Sequence, residues 1–319
     1  MERHKRSALA ALLASLALAA CGGGGGDNGG GGGVTTQNAT AVAEPGAPAA
    51  TGNTAADGVA WFNYRRQQAG VRTLVRAPMA DAAAQLHSEY QKTHNVITHE
   101  QTPGTQGFTG ETVGDRLTAA GYQFRSAYAY GEVLSSTSDT SGINAAEDLI
   151  AAIYHRFVIL DPVFLQIGAG AATVRNGATY FTTNFVADRL DAGLGAGRFI
   201  TYPFSGQQRV PRNFFSDHEV PDPVPSRNEV GYPVSVHADI TSVIEVQSFT
   251  IRPRGGNPLE TQLLQNRASA GGTADPLTPP SVAAIVPLGV LSANTIYDVQ
   301  FIGRVDGQAA TREWSFTTQ

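Results

Sequence analysis

Cysteine is nearly absent: the 319 residues hold one, Cys21. A single thiol cannot close an internal disulfide, nor supply the several thiolates of a Cys-rich zinc site. Clusters of Lys and Arg are missing too. With 22 basic against 27 acidic residues the net charge is −5, which argues against nucleic acid as a partner, because a phosphate backbone demands a basic patch. Ala8 to Ala20, apolar apart from Ser15, falls short of the roughly 20 residues that span a bilayer as a helix. His-Glu-x-x-His, Gly-x-Ser-x-Gly and Cys-x-x-Cys do not occur, so the common hydrolase and redox signatures are lacking. His99-Glu100 has no second histidine at zincin spacing. The run Gly193-Leu194-Gly195-Ala196-Gly197 has the wrong spacing for a dinucleotide fingerprint, and no helical pattern follows it.

What is present begins with an address. Arg3, Lys5 and Arg6 precede the apolar stretch, which ends Leu18-Ala19-Ala20-Cys21-Gly22. A basic start, a short apolar core and small residues before the cut make a signal peptide. The ending resembles a bacterial lipoprotein signal, with residues 1–20 removed and Cys21 lipidated. Removing that segment takes away three basic residues and Glu2, moving the net charge to −7. Ten of the twelve residues 22–33 are glycine. Ala/Thr/Pro-rich sequence continues to residue 56, a composition that cannot bury enough apolar surface to offset ordering. Residues 21–56 are thus expected to be a disordered tether with a reach of roughly 30 Å.

From 57 the pattern is globular. Asp57 is placed to cap a helix through Gln68, with Trp61, Tyr64 and Arg65 on one face and Gly70 as its stop. A second helix is expected from Pro78 to His94, with Met79, Ala82, Ala83, Leu86 and Tyr90 as its apolar stripe. A third runs from Val113 to Ala120. Tyr130-Gly131-Glu132-Val133 reads as a short strand delivering a carboxylate. Asn144 to Leu160 reads as one helix, with Ala146, Leu149, Ile150, Ile153, Phe157 and Leu160 in register, stopped by Asp161-Pro162. Two β-runs, Phe164–Val174 and Ala178–Ala187, flank Asn176-Gly177, a pair that tolerates the positive φ of a tight hairpin. Helices and strands intermix without regular β-α-β alternation, so the fold class is α+β, a small sheet between helices.

Residues 189–229 are rich in Gly and Pro and read as a linker segment, part of it running between domains and part wrapping onto one of them. From Tyr232 the period changes to two: Val234-Val236-Ala238, Phe249-Ile251, Tyr297-Val299-Phe301 and Trp314-Phe316-Thr318 alternate between turn residues. Short alternating strands predict an all-β sandwich over 230–319. Its closing segments, Leu288 to Val299 and Trp314-Ser315-Phe316-Thr317-Thr318, resemble those of bacterial Ig-like domains. With so Gly/Pro-rich a connection, residues 57–190 and 230–319 are expected to be separate cooperative units.

The block 57–188 resembles the CAP superfamily (cysteine-rich secretory, antigen 5, pathogenesis-related 1) in its cysteine-poor bacterial branch. The resemblance rests on Asn63, Arg65-Arg66, Gly70 and Leu74; on Thr98-His99; and on Asp115-Arg116-Leu117 with Ala120-Gly121-Tyr122. It continues through Gly131-Glu132, Tyr154-His155-Arg156, Ile167-Gly168-Ala169-Gly170 and Thr183-Asn184-Phe185-Val186. Departures are Val133 where the family has asparagine, and Ala152-Ile153-Tyr154 where it has a Ser-Pro-Gly run. The resemblance implies a CAP-like α-β-α sandwich whose cleft carries His99, Glu132 and His155, with Glu111 as the second acid. Imidazoles and carboxylates converging from separate segments suit zinc or another divalent cation, with His99 and His155 as ligands, or acid–base work. Equally, a His–carboxylate pair can pin a helix to a loop. His87 and His94, seven apart on one helix, read as exposed; His218 and His237 stand alone.

Together these readings describe an outer-membrane-anchored lipoprotein of a bacterial envelope, periplasmic or surface-facing. Its expected role is a binding module for a lipid-like small ligand, the ligand class CAP relatives imply, or for a divalent metal. The alternatives are a metal-assisted hydrolase using the same cleft, and an adhesive protein whose Ig-like domain meets an envelope protein or glycan while the cleft is vestigial.

Overall fold

The computed structural model describes residues 44–125, 127–175, 177–190, 193–269 and 272–319. The expected signal segment, Cys21 and the glycine run lie outside them, as does Asn176 of the expected hairpin turn. In chain order the first half comprises α1 (Thr54–Gln68), β1 (Val75–Arg76), α2 (Pro78–His94), α3 (Val113–Ala119) and β2 (Ala129–Thr137), then α4 (Gly142–Ala151), α5 (Ile153–Ile159), β3 (Gln166–Thr173) and β4 (Thr179–Ala187). Its sheet has the order β1-β3-β4-β2. β1 runs parallel to β3, the other pairs are antiparallel, and β2 is an edge. α2 packs on β3 and β4, while α1 contacts α4 and β3.

Local rules account for most of these elements. Asn53, not Asp57, caps α1, its side chain accepting from the Ala56 amide. Asp57 instead accepts from the Thr51 and Gly52 amides and the Thr51 hydroxyl, folding the preceding chain back. Glu44 pairs with Arg65 at 2.6 Å. The expected tether is therefore ordered from residue 44 on. α3 opens with a reciprocal capping box between Thr112 and Asp115.

Two expectations about helices fail for physical reasons. The stripe on α2 is rotated: Ala83 and Tyr90 are buried as expected, but Met79, Ala82 and Leu86 are exposed, and Ala80, Ala84, His87, Ser88 and Gln91 are buried in their place. Size decided this. A Cβ on Gly168 or Gly170 of β3 would stand 2.1–2.2 Å from the α2 backbone at Ala80 and Gln85, so helix and strand meet through their smallest residues. The single helix expected over 144–160 is broken at Ala152, whose backbone is extended (φ −67°, ψ 117°).

The second half contains β5 (Phe199–Tyr202), β6 (Asn213–Phe215), a 3₁₀ turn (Ser216–His218), β7 (Glu229–Gly231), β8 (Val234–Ala238) and β9 (Ile244–Pro253). It closes with β10 (Thr261–Gln265), β11 (Val282–Pro287), β12 (Ile296–Val305) and β13 (Gln308–Thr317). A four-stranded sheet, β10-β11-β8-β5, faces a three-stranded one, β13-β12-β9, with Phe199 and Phe301 meeting edge to face between them at 5.4 Å. The stretch 189–229 is thus not a plain linker. β5 completes the larger sheet, and β6 pairs with β7.

The two halves share one continuous core. Arg156 of α5, fully buried, donates to the Pro233 carbonyl at 2.6 Å. Its guanidinium lies between the rings of Tyr202 and Tyr232, 5.0 and 4.8 Å from their centres. Tyr154 donates to Asp275, and Phe157 packs against His237. The expectation of few crossing contacts is overturned.

Candidate functional site

The site has to be built from His99, Glu132, His155 and Glu111, the residues the sequence singles out. His99 lies in the loop after α2 and Glu132 on the edge strand β2. The structure joins them, with His99 Nδ1 2.9 Å from Glu132 Oε1 and both residues buried. Arg116 of α3 completes the group. Its Nη2 donates to both Glu132 oxygens, at 2.9 and 2.8 Å, and its Nη1 to the His99 carbonyl at 2.7 Å. Burial alone would raise the Glu132 carboxyl, but Arg116, His87 and His99 outweigh it and bring the carboxyl down to about 2. Glu132 is therefore an anion locked between a guanidinium and an imidazole.

Arg116 and His87 are neighbours of the site that the sequence does not single out. Both carried a signal. Arg116 stands at i+3 from Val113 and beside Leu117, on the buried face of α3. His87 falls on the shifted stripe of α2. Instead of being exposed it is fully buried, donating from Nε2 to the Thr98 carbonyl at 2.7 Å and accepting at Nδ1 from Gln101 at 3.0 Å. That pair of partners selects the neutral tautomer. Burial lowers its pKa to about 4, Arg116 and His99 acting the same way against the opposing pull of Glu132 and the Thr98 carbonyl. Its Nε2 lies 3.9 Å from Glu132 Oε1, but with a neutral ring this contact is not an ion pair.

His155 does not join this group. Its Nδ1 lies 2.8 Å from Glu219 Oε1, both residues wholly buried. Glu219 belongs to the Gly/Pro-rich segment beyond the CAP resemblance, and its carboxylate also accepts the backbone N–H groups of Ile153, Tyr154 and His155 at 2.8, 2.8 and 3.2 Å. An anion on the first amides of a helix satisfies donors that have no intrahelical acceptor. The pair is a cap that starts α5 and pins it to the second half. Glu111 is exposed; its backbone carbonyl accepts from Gln101 and Arg116, so its contribution is main-chain.

The donor set does not fit a divalent cation. The acceptor capacity of Glu132 is directed at Arg116 and His99, the His87 Nε2 proton is given to a carbonyl, and His155 serves Glu219. Among the described residues no group of three His, Cys, Asp or Glu side chains could hold a metal ion. No helix among them is long and apolar enough to cross a membrane.

Residues 59–185 match the CAP family model, described as the cysteine-rich secretory protein family. No curated protein matches the chain. Among solved structures, an extracellular protein containing an SCP domain from Bacillus anthracis str. Ames is similar at 22% identity, covering 42% of this chain and 40% of that one, with a TM-score of 0.35. The chain thus spans less than half of that protein's length. An outer surface protein from Borrelia burgdorferi is similar at 14% identity, covering 40% of this chain and 88% of that one, with a TM-score of 0.34. The helix order, the four-stranded sheet and the family match agree: residues 59–185 of this chain are a CAP domain.

Proposed function

We propose that this protein is a non-catalytic binding module of the bacterial cell envelope. In this reading Cys21 is lipidated, the Gly-rich segment is a tether, and the CAP domain and β-sandwich are presented as one body. The observation that carries the non-catalytic part is the commitment of Glu132. A general base or metal ligand needs a free lone pair at the point of reaction, and this carboxylate is buried and directed at Arg116 and His99. Support for the envelope location is the basic start, apolar core and Ala19-Ala20-Cys21 ending of the N-terminal segment. A lipid-like small ligand remains the class that the CAP resemblance implies. The sandwich, Ig-like in its closing strands, is the half available to an envelope protein or glycan.

Two measurements test this. Purified protein should show no turnover of ester or peptide substrates, with or without added zinc. Chelator-sensitive turnover would establish the metal-assisted hydrolase instead. Cys21→Ser should move the protein from the membrane fraction to the soluble one, because stable anchoring takes acyl chains; retention in the pellet would remove the lipid anchor from the proposal.

A further inference from the structure

A cavity that shares no residue with the His99–Glu132 group opens where the CAP domain meets the segment that leads into the sandwich. It holds about 340 Å³ and lies between β2, α4 and the β6 region, within the size range of small-molecule pockets. Leu134, Leu149, Pro211, Phe214 and Phe215 give it apolar walls. Two features of its polar lining stand out. Ser135 of β2 is only 7% exposed, and its hydroxyl has no hydrogen-bond partner. A buried hydroxyl left unpaired costs free energy that a bound group would recover. The second is a charge imbalance: the lining contains Glu147 and Asp148 but no Lys or Arg.

The two carboxylates differ in their commitments. Glu147 is satisfied, accepting from Trp61 Nε1 at 2.5 Å and Arg65 Nε at 3.1 Å. Asp148, exposed at the mouth, makes no side-chain hydrogen bond or ion pair among the described residues. Desolvation by the surrounding walls, then repulsion from Glu147 and Asp139, pushes its carboxyl up to about 6, with His218 acting in the opposite direction. A cation placed there would relieve that repulsion.

We propose that this junction cleft binds a small organic cation: an ammonium group on Asp148, an apolar or aromatic body against Leu149, Phe214 and Phe215, and a polar substituent reaching Ser135. The proposal goes beyond the envelope-module reading and does not depend on anchorage or on the His99–Glu132 group. Phe214, Phe215 and Pro211 lie outside the matched CAP segment, so the site is a product of the junction between the two halves.

The test uses three probes of matched shape on the purified full-length protein: phenethylammonium, 2-phenylethanol and 3-phenylpropionate. Calorimetry or chemical-shift titration at pH 7.5 (chosen as roughly one to two units above the raised carboxyl) should rank them cation, neutral, anion. Asp148→Asn should weaken the cation about ten-fold or more, as expected for a lost charge-assisted hydrogen bond, while leaving the neutral probe unchanged. Ser135→Ala should weaken a hydroxylated analogue, tyramine, relative to phenethylammonium. Asp217→Asn, on an exposed neighbour outside the lining, should change nothing. Asp148 is exposed, so its variant is expected to melt as the parent does. Equal binding of cation and neutral probe, retention of the preference in Asp148→Asn, or no binding of any probe would each overturn the proposal.

Discussion

Glu132 illustrates how much a single buried charge decides. Its carboxylate lies between Arg116 and His99, with the neutral His87 beside it. Removing one member of a buried pair leaves the other uncompensated, which costs about 3–5 kcal/mol. Glu132→Gln and Arg116→Ala are each expected to lower stability by that order in urea melts, and their double variant by less than the sum. If Glu132→Gln costs under about 1 kcal/mol, the group is not the keystone described above. Acid should act on the same residue. A carboxyl held down to about 2 contributes stability that is complete above its unfolded value near ~4.3 and is lost as pH falls toward the folded one. His87 works over a higher window. With its pKa lowered to about 4, the unfolded chain binds the proton first, so stability declines as pH falls from roughly 6.5 to 4, at most by about 1.4 kcal/mol per pH unit. Comparing parent and His87→Gln melts across that window isolates the effect. The parent should show the extra slope and the variant should not.

At the scale of elements, the most informative feature is the break at Ala152. The apolar positions from Ala146 to Leu160 keep helical spacing straight through it, with neither glycine nor proline to mark an end. The cause lies more than sixty residues away, in the Glu219 carboxylate that takes the first three amides of α5. Glu219→Gln keeps the shape but removes the anion. Hydrogen exchange at Ile153, Tyr154 and His155 should then speed up, with a stability loss of about 1–3 kcal/mol from a weakened buried cap and an unpaired His155. Unchanged exchange at those amides would show that α5 starts there for another reason. α2 makes a complementary point. Its bounds, Pro78 to His94, follow from sequence, but its buried face follows from the glycines of β3 beneath it.

For the whole molecule, the question is whether the halves unfold separately. Composition argues that they do. The structure argues otherwise, since Arg156 is buried between Tyr202 and Tyr232 and Glu219 holds α5. Calorimetry of the intact protein should give one transition with matching calorimetric and van't Hoff enthalpies. Arg156→Ala should lower the midpoint and, by removing the shared contact, split or broaden the transition. Two transitions in the parent protein would restore the picture of independent units. Proteolysis gives an independent measurement: cleavage within 199–219 of the native protein should be slow, because β5, β6 and Glu219 are incorporated into the fold.

The sequence by itself determined what is local or periodic. The helix stops at Gly70 and Asp161-Pro162, the β3–β4 hairpin around Gly177, the period-two strands of the sandwich and the order of the CAP elements were legible in it, because each depends on residues within a few positions of one another. The pairing of His99 with Glu132 was legible through family resemblance, although its role as an anion locked by Arg116 was not. Only the tertiary structure decided the partner of His155, the burial of His87, the break at Ala152 and the union of the two halves. In each case the deciding group comes from a distant segment: Glu219 from the Gly/Pro-rich stretch, the glycines of β3, the tyrosines flanking Arg156. Hydrophobic spacing records that a face is buried, but not which chain segment covers it. Where a carboxylate or a glycine does the covering, no local pattern announces it.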